Sequence, residues 1–480
     1  MSNFIPNTGA KTTFNEQKVT QSDPHIEGAA TYGLIPSNFR EFTATGGSTG
    51  TENRMFKVST GTSVGGYGAI QSFRATPHRV GKNVSCRFSG YFPSSVASSW
   101  QGIGLISIGE ELSFGYNGID FGVWNRYGGL PEVRTINITG ASGGATTLTL
   151  TLNSIGYSIP LTAGTVQHNA WEIEEWLRAN QSIWTADQID DTVIISALSD
   201  GAKDGLYIYL HGTSTGTITQ NKAGVTKTSD HIPQADWNGE AYPETLDPSK
   251  GNLYIINYQN MLFGVIEYSI VDPNTGHPIV VHRIKSPNSS TTSKLPNPSL
   301  RAGLYAASTG ATTNIDVYAG AFSIDVDGKS SRTRNPRAID SEQSITNTTE
   351  NAVLTLRNRD TYNYYANQVE VLPLILTISN ETTRAARVRV RTTVDPAFEQ
   401  NFQLAGVNLV ADVDTTLAPY SGGILLAATS IEPGGESEIN LQELQIALPP
   451  SLHLVVTVQR DATGGANSNF DTTLTWYEDL

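Results

Sequence analysis

A chain of 480 residues with 38% hydrophobic side chains is long enough for roughly three cores and is too apolar in composition to stay disordered. Charged residues make up only 16%, the formal net charge is −14 and Cys86 is the single cysteine, which excludes a strongly basic nucleic-acid-binding face and an intramolecular disulfide framework. No stretch approaches the ~20 apolar residues of a membrane span, and the opening MSNFIPNTGAKTTFNEQ has no signal-peptide core, so synthesis in a cytosol without a membrane span is expected.

Taken in order, residues 1–37 are polar and punctuated by Pro6, Pro24 and Pro36, which predicts an extended N-terminal arm ordered on a neighbouring subunit. Residues 38–132 alternate strand-length apolar runs with Gly, Ser and Thr clusters. At their centre, QGIGLISIGEELSFGYNGIDFGVWNRYGG (101–129) reads as consecutive strands turning at Gly109-Glu110 and Asn117-Gly118, a β-meander. Residues 133–236 differ in character and predict a small α+β domain of ββαββ order. Its helix spans Val166 to Asn180, with Thr165 as N-cap, an apolar stripe of Trp171, Ile173, Trp176 and Leu177, and Glu172, Glu174 and Glu175 on the other side. Asp187, Asp190 and Asp191 read as a solvated loop. After a Pro- and Asp-rich return linker from His231 to Asn252, the strand pattern resumes, so 38–132 and 237–330 form one lectin-like sandwich. Within it, Asp272-Pro273-Asn274-Thr275-Gly276 marks a further hairpin turn. Residues 331–350 read as a linker and 351–480 as a second, C-terminal β-sandwich of short strands. The fold class is therefore mainly β: a lectin-like or jelly-roll sandwich with an inserted α+β domain, then a second sandwich.

Chemistry is sparse. The eight histidines are dispersed without metal-ligand spacing, no P-loop leads into a helix and no nucleophile elbow appears, so no cofactor, no metal and no enzymatic activity are predicted. Glu110, Glu111 and Asp120 are carboxylates bordering the central hairpins. Asp412 with Asp414, and Asp325 with Asp327, have the period that puts two carboxylates on one strand face, as a Ca²⁺ site would need. Arg387, Arg389 and Arg391 share one strand face, read as solvated or subunit-contacting, and Cys86 reads as a half-buried strand residue. Aromatic residues near the meander turns, Trp100, Tyr116, Trp124 and Tyr127, are candidate contacts for sugar rings.

Four segments carry a resemblance: GYNGIDFGVWNRYGG (115–129), TLTLTLNSIGYSIPLTAGTVQHNAWEIEEWL (147–177), LDPSKGNLYIINYQNMLFGVIEYSI (246–270) and IVVHRIKSPN (279–288). Together they resemble structural proteins of tailed bacteriophages and large DNA viruses over about residues 39–329, and the ending TLTWYEDL resembles the last strand of phage virion domains. The resemblance implies a virion structural protein, a tail, baseplate, fibre or capsid-decoration component made in the host cytoplasm. It implies other virion proteins as partners and a homotrimer; the alternative reading, from the aromatics Trp100, Tyr116, Trp124 and Tyr127, is a carbohydrate-binding host-receptor protein of the virion, with a host-surface glycan as its ligand. The resemblance transfers no catalytic residue. Glycan degradation is the least favoured reading.

Overall fold

The computed structural model describes residues 23–35, 38–77, 79–152, 155–181, 184–203, 207–210, 212–327, 336–394, 396, 398–406, 408–462 and 469–478. It forms two compact units, one of Met1–Gly129 with Thr226–Ser331 and the other of Leu130–Val225 with Arg332–Leu480.

The first unit is a sandwich of two antiparallel sheets. An eight-stranded sheet runs Pro278–Ile284, Ile266–Val271, Asn252–Gln259, Asn83–Tyr91, Asp316–Val326, Met55–Ser59 and Ser48–Glu52, with Asp23–Ala29 also paired to Asp316–Val326. A seven-stranded sheet runs Thr228–Pro233, Asp120–Tyr127, Glu110–Asn117, Ser99–Ser107, Arg301–Ser308, Tyr67–Ser72 and Phe39–Ala44. Alternate residues of each sheet, among them Phe88, Tyr254 and Ile324 from one and Ile103, Phe114, Val123 and Leu304 from the other, fill the core. The meander turns fall one residue from where the sequence puts them, at Ile108-Gly109 and Gly118-Ile119, with Glu110 and Asn117 already paired in the strands. Gly109 sits at φ +83°, and a Cβ there would lie 2.1 Å from the Gly129 carbonyl oxygen, so only glycine closes that hairpin. At the third hairpin, Asp272 accepts hydrogen bonds from the Asn274 amide (2.9 Å) and the Thr275 hydroxyl (2.8 Å), which hold its carboxyl below the usual range.

Several expectations change here. Of the arm, residues 1–22 and 36–37 lie outside the described residues, but Asp23–Ala29 is a strand of its own sandwich, with Ile26 buried and Gly28 under the Phe322 ring. The return linker begins as the edge strand Thr228–Pro233; an edge strand with half-buried and exposed residues leaves no apolar alternation to read. Cys86 is fully buried in the core, and that burial pushes its thiol well above the ordinary range.

In the second unit, a four-stranded sheet (Trp184–Ile189, Thr192–Asp200, Pro131–Gly140, Thr215–Lys222) and a three-stranded sheet (Ile155–Leu161, Thr146–Leu152, Tyr207–Leu210) share a core with the helix Val166–Asn180. Thr165 caps the helix as expected, accepting the His168 amide at 3.1 Å. Ala170, Ile173 and Leu177 are its buried stripe, while Trp171 and Trp176 are half-buried. The C-terminal sandwich pairs a four-stranded sheet (Arg337–Ser344, Asn469–Glu478, Val371–Asn380, Glu436–Asn440) with a seven-stranded one that includes Ala411–Asp414, Asn351–Asn358, His453–Arg460, Ala386–Thr393 and Ile424–Ile431. The expected linker 331–350 is thus largely the strand Arg337–Ser344. It escapes a pattern search because only Ser341 along it is buried; residues 331–335 lie outside the described residues.

The largest correction concerns charge. Glu174 and Asp187, expected in solvent, are buried. Glu174 takes Arg357 (2.9 Å) and Arg178 (3.0 Å); Arg178 also reaches Asp187 (3.1 Å), whose carboxylate accepts the backbone amides of Asp360 (3.1 Å) and Thr361 (3.2 Å). Arg357 continues to the Gln188 carbonyl (2.6 Å) and to Asp412 (3.0 Å), and Asp412 meets Arg359 (3.3 Å). Helix and strand charges of the α+β module therefore find their partners on the sandwich strand Asn351–Asn358 and the residues just after it, which no local pattern encodes. The same network removes Asp412 from any Ca²⁺ pair, while Asp414 accepts the Asn401 (2.9 Å) and Thr416 (2.7 Å) amides. Asp325 and Asp327 likewise face Arg87 (2.8 Å) and the Asn83 amide group (2.9 Å). Arg389 and Arg391, rather than being free, both grip Glu350 at 2.9 Å.

Candidate glycan-binding face

The meander strands send every second residue to the outer face of the first unit's seven-stranded sheet. Leu112, Phe114 and Val123 point into the core, so Glu111, Ser113, Trp124 and Arg126 point out. Register sets Arg126 opposite Glu111 on one side and Ser229 on the other, and Trp124 opposite Ser113 and His231. Between them the outward positions of neighbouring strands include Gly102, Gly104, Gly115, Gly122 and Gly303, and this bare floor lets large side chains lie down on it. A Cβ on Gly102 would be 2.4 Å from the Tyr305 ring, and one on Gly115 would be 1.8 Å from the Gln101 carbonyl oxygen.

Arg126 is the hub. Its guanidinium lies 3.9 Å from the Trp124 ring centroid and 4.8 Å from that of Trp100, and the two indoles meet edge to face at 6.3 Å. Nη1 donates to Glu111 Oε2 (2.7 Å) and to the Tyr305 hydroxyl (3.0 Å), and Nε donates to Ser229 Oγ (2.9 Å). Glu111 Oε1 accepts the Tyr305 (2.9 Å) and Ser113 (2.5 Å) hydroxyls. Arg126 Nη2 is buried and meets no partner among the described residues. His231 rests against Trp124 at 4.5 Å, and burial holds its imidazole below the usual range, hence neutral near pH 7. Trp124 is 2% exposed but Trp100 is 41% exposed: one indole is structural, and the other offers a ring face braced by a cation and a second indole.

Of the four aromatic candidates, the structure brings together Trp100 and Trp124. Tyr116 has the opposite parity and packs inward on Phe121 (5.2 Å) and Phe92 (5.8 Å). Tyr127 also points away from this face, its hydroxyl accepting Lys294 Nζ at 2.6 Å. Of the carboxylates, Glu111 is in the floor, Asp120 is exposed at the hairpin end, and Glu110 is buried on the core side. There Glu110 accepts the Gly128 amide (3.1 Å) on one oxygen and has no described partner on the other, and burial raises its pKa to about 8. The sequence reading missed Arg126, Tyr305, Ser229 and His231. The alternation Trp124-x-Arg126 facing Glu111-x-Ser113 across an Asn-Gly hairpin was the available signal for the first; the other three come from strands far away in the chain.

No family model and no curated protein matches the chain. Solved structures similar to it include the cellulose-induced protein Cip1 (TM-score 0.29, 9% identity, 62% of this chain and 96% of Cip1), peanut lectin (0.27, 9%, 64% and 99%) and LamAcat from Zobellia galactanivorans (0.24, 12%, 63% and 97%). The sandwich assignment rests on the sheets themselves.

Proposed function

We propose that this chain is a glycan-binding protein and that the outer face of the first unit's seven-stranded sheet is its sugar site. One observation carries the reading: Trp100 presents an exposed ring that Arg126 and Trp124 hold in place on a sheet face that also carries the exposed Ser229 hydroxyl and the half-buried His231 imidazole. A sugar needs that pairing, since its C–H face stacks on an aromatic ring while its hydroxyls seek directional donors and acceptors. Borne on a virion, as the sequence resemblance implies, the face would serve host attachment, and repeated copies would turn weak contacts into avidity.

On this reading the chain binds glycan without cleaving it. Glycoside hydrolysis generally takes two carboxyl groups about 5 to 9.5 Å apart. Glu111 is neutralised by Arg126, and Asp120, on the same face, lies six residues from Arg126 along the strand, roughly 20 Å away.

A glycan array followed by titration of intrinsic tryptophan fluorescence tests this. The expected result is saturable binding that weakens at least tenfold in Trp100→Ala, with folding retained in its circular dichroism melt. Absence of any binder, or a Trp100→Ala protein that binds like the parent, overturns it.

A further inference from the structure

We propose that the loop end of the first unit's eight-stranded sheet docks on an anionic phospholipid surface. Two loops meet there, residues 79–82 and 260–264. Together they expose Val80 (65%), Met261 (52%), Leu262 (55%) and Phe263 (43%), four large apolar side chains on convex turns. Scattered exposed apolar residues are ordinary; four on two stitched loop tips are a patch.

The backbone beneath is fixed. The Gly81 amide donates to the Asn260 carbonyl (3.1 Å), and the Asn260 amide donates to the Lys82 carbonyl (2.9 Å). The Gly264 amide closes the tip onto the Met261 carbonyl (2.7 Å), the Val265 amide binds Gln259 Oε1 (2.9 Å), and Ser293 Oγ donates to the Leu262 carbonyl. The loop thus holds its apolar side chains outward instead of folding them under.

Charge selects the occupant. The loop segments of this end, residues 79–83, 259–266 and 284–300, contain Arg79, Lys82, Lys285 and Lys294 and no Asp or Glu, in a chain whose net charge is −14; the adjoining strand end adds Asp325, paired with Arg87 (2.8 Å), and Asp327, which accepts the Asn83 side-chain amide (2.9 Å). Arg79 is buried and Lys294 is held by Tyr127 and Asp230, which leaves exposed Lys285 and half-buried Lys82 to flank the tip. Exposed apolar side chains flanked by two lysines suit the boundary between headgroups and acyl chains, where the tip enters the apolar layer and the ammonium groups stay at the phosphates. The chain's net charge of −14 opposes approach to an anionic surface, so these lysines are what favours contact at this end. The attachment is peripheral, and no described helix is long and apolar enough to cross a membrane.

The test is co-sedimentation of the full chain with phosphatidylcholine vesicles containing or lacking phosphatidylglycerol. The expected result is at least tenfold stronger partitioning onto the anionic vesicles, falling as salt rises. Met261→Asp/Phe263→Asp should abolish it, Lys82→Glu/Lys285→Glu should reduce it severalfold with the apolar tip intact, and Trp100→Ala should leave it unchanged. Circular dichroism melts of each variant confirm folding. Equal binding to both vesicle types, no binding by the parent chain, or a folded Met261→Asp/Phe263→Asp protein that binds normally overturns the proposal. A patch serving contact between copies would show instead as a sedimentation coefficient lowered by Met261→Asp/Phe263→Asp with no vesicle binding by the parent.

Discussion

Arg126 in the first unit and Arg357 in the second are both buried arginines facing carboxylates, and the contrast between them separates a binding face from a structural joint. Arg357 is 0% exposed, has Glu174 and Asp412 as ion partners and lies 3.8 Å from the Phe402 ring centroid. Among the described residues Arg126 has the single ion partner Glu111; it contacts two indoles and borders Trp100 at the surface. In the first case desolvated charge joins elements distant in sequence; in the second it stiffens an aromatic platform that solvent reaches. A buried arginine is therefore no functional signal by itself. What distinguishes the two is whether an exposed group is positioned by it.

That contrast can be broken experimentally. The largest effect is expected at the sealed network: Arg357→Met takes one of two cations from each of Glu174 and Asp412, leaving them Arg178 and Arg359, and opens a fully buried network, which should cost roughly 3–5 kcal/mol in urea unfolding of the second unit. Adding Glu174→Gln and Asp412→Asn to it should recover part of the loss, because the carboxylate charges that faced the arginine are gone while Arg178 keeps Asp187 and Arg359 keeps the Leu409 and Val410 carbonyls. A single substitution that unfolds like the parent would mean the network does not hold the module. Arg126→Leu should cost less, about 1.5–3 kcal/mol, and should also weaken sugar binding, since Trp100 loses its brace; a stability loss equal to that of Arg357→Met would erase the distinction.

Glu110 supplies a pH-dependent test within the first unit. Its folded pKa of about 8 stands above the ordinary 4.5, so the folded chain keeps a proton that the unfolded chain releases. The stabilisation is complete below about pH 4.5 and is lost as pH rises through about 8, with a slope of up to about 1.4 kcal/mol per pH unit. Glu110→Gln should flatten the dependence of melting temperature on pH across that window and make the protein more stable than the parent at pH 9. The smallest change is expected at the platform's rim: Trp100→Ala gives up its contacts with Arg126 and Trp124 and should cost about 1 kcal/mol, so a loss as large as that of Arg126→Leu would mark the indole as core rather than contact surface.

The sequence by itself determined the β class, the meander with its turns, the helix with its Thr165 cap and the Asp272 hairpin, because each is written in residues a few positions apart: period-two alternation, the Asn-Gly turn, a hydroxyl before a helical stripe. It also picked out Trp100 and Trp124, but not which one is exposed or that Tyr116 and Tyr127 turn the other way. Those answers come from register. Tertiary structure alone decided the site and the buried charges. Tyr305 reaches Glu111 from 194 positions away and Arg357 reaches Glu174 across 183. Polar residues such as Glu174 and Asp187 look solvated in any local window. Only when chain-distant strands deliver counter-charges do they become cheaper to bury than to expose, and that pairing is a property of the closed sheets.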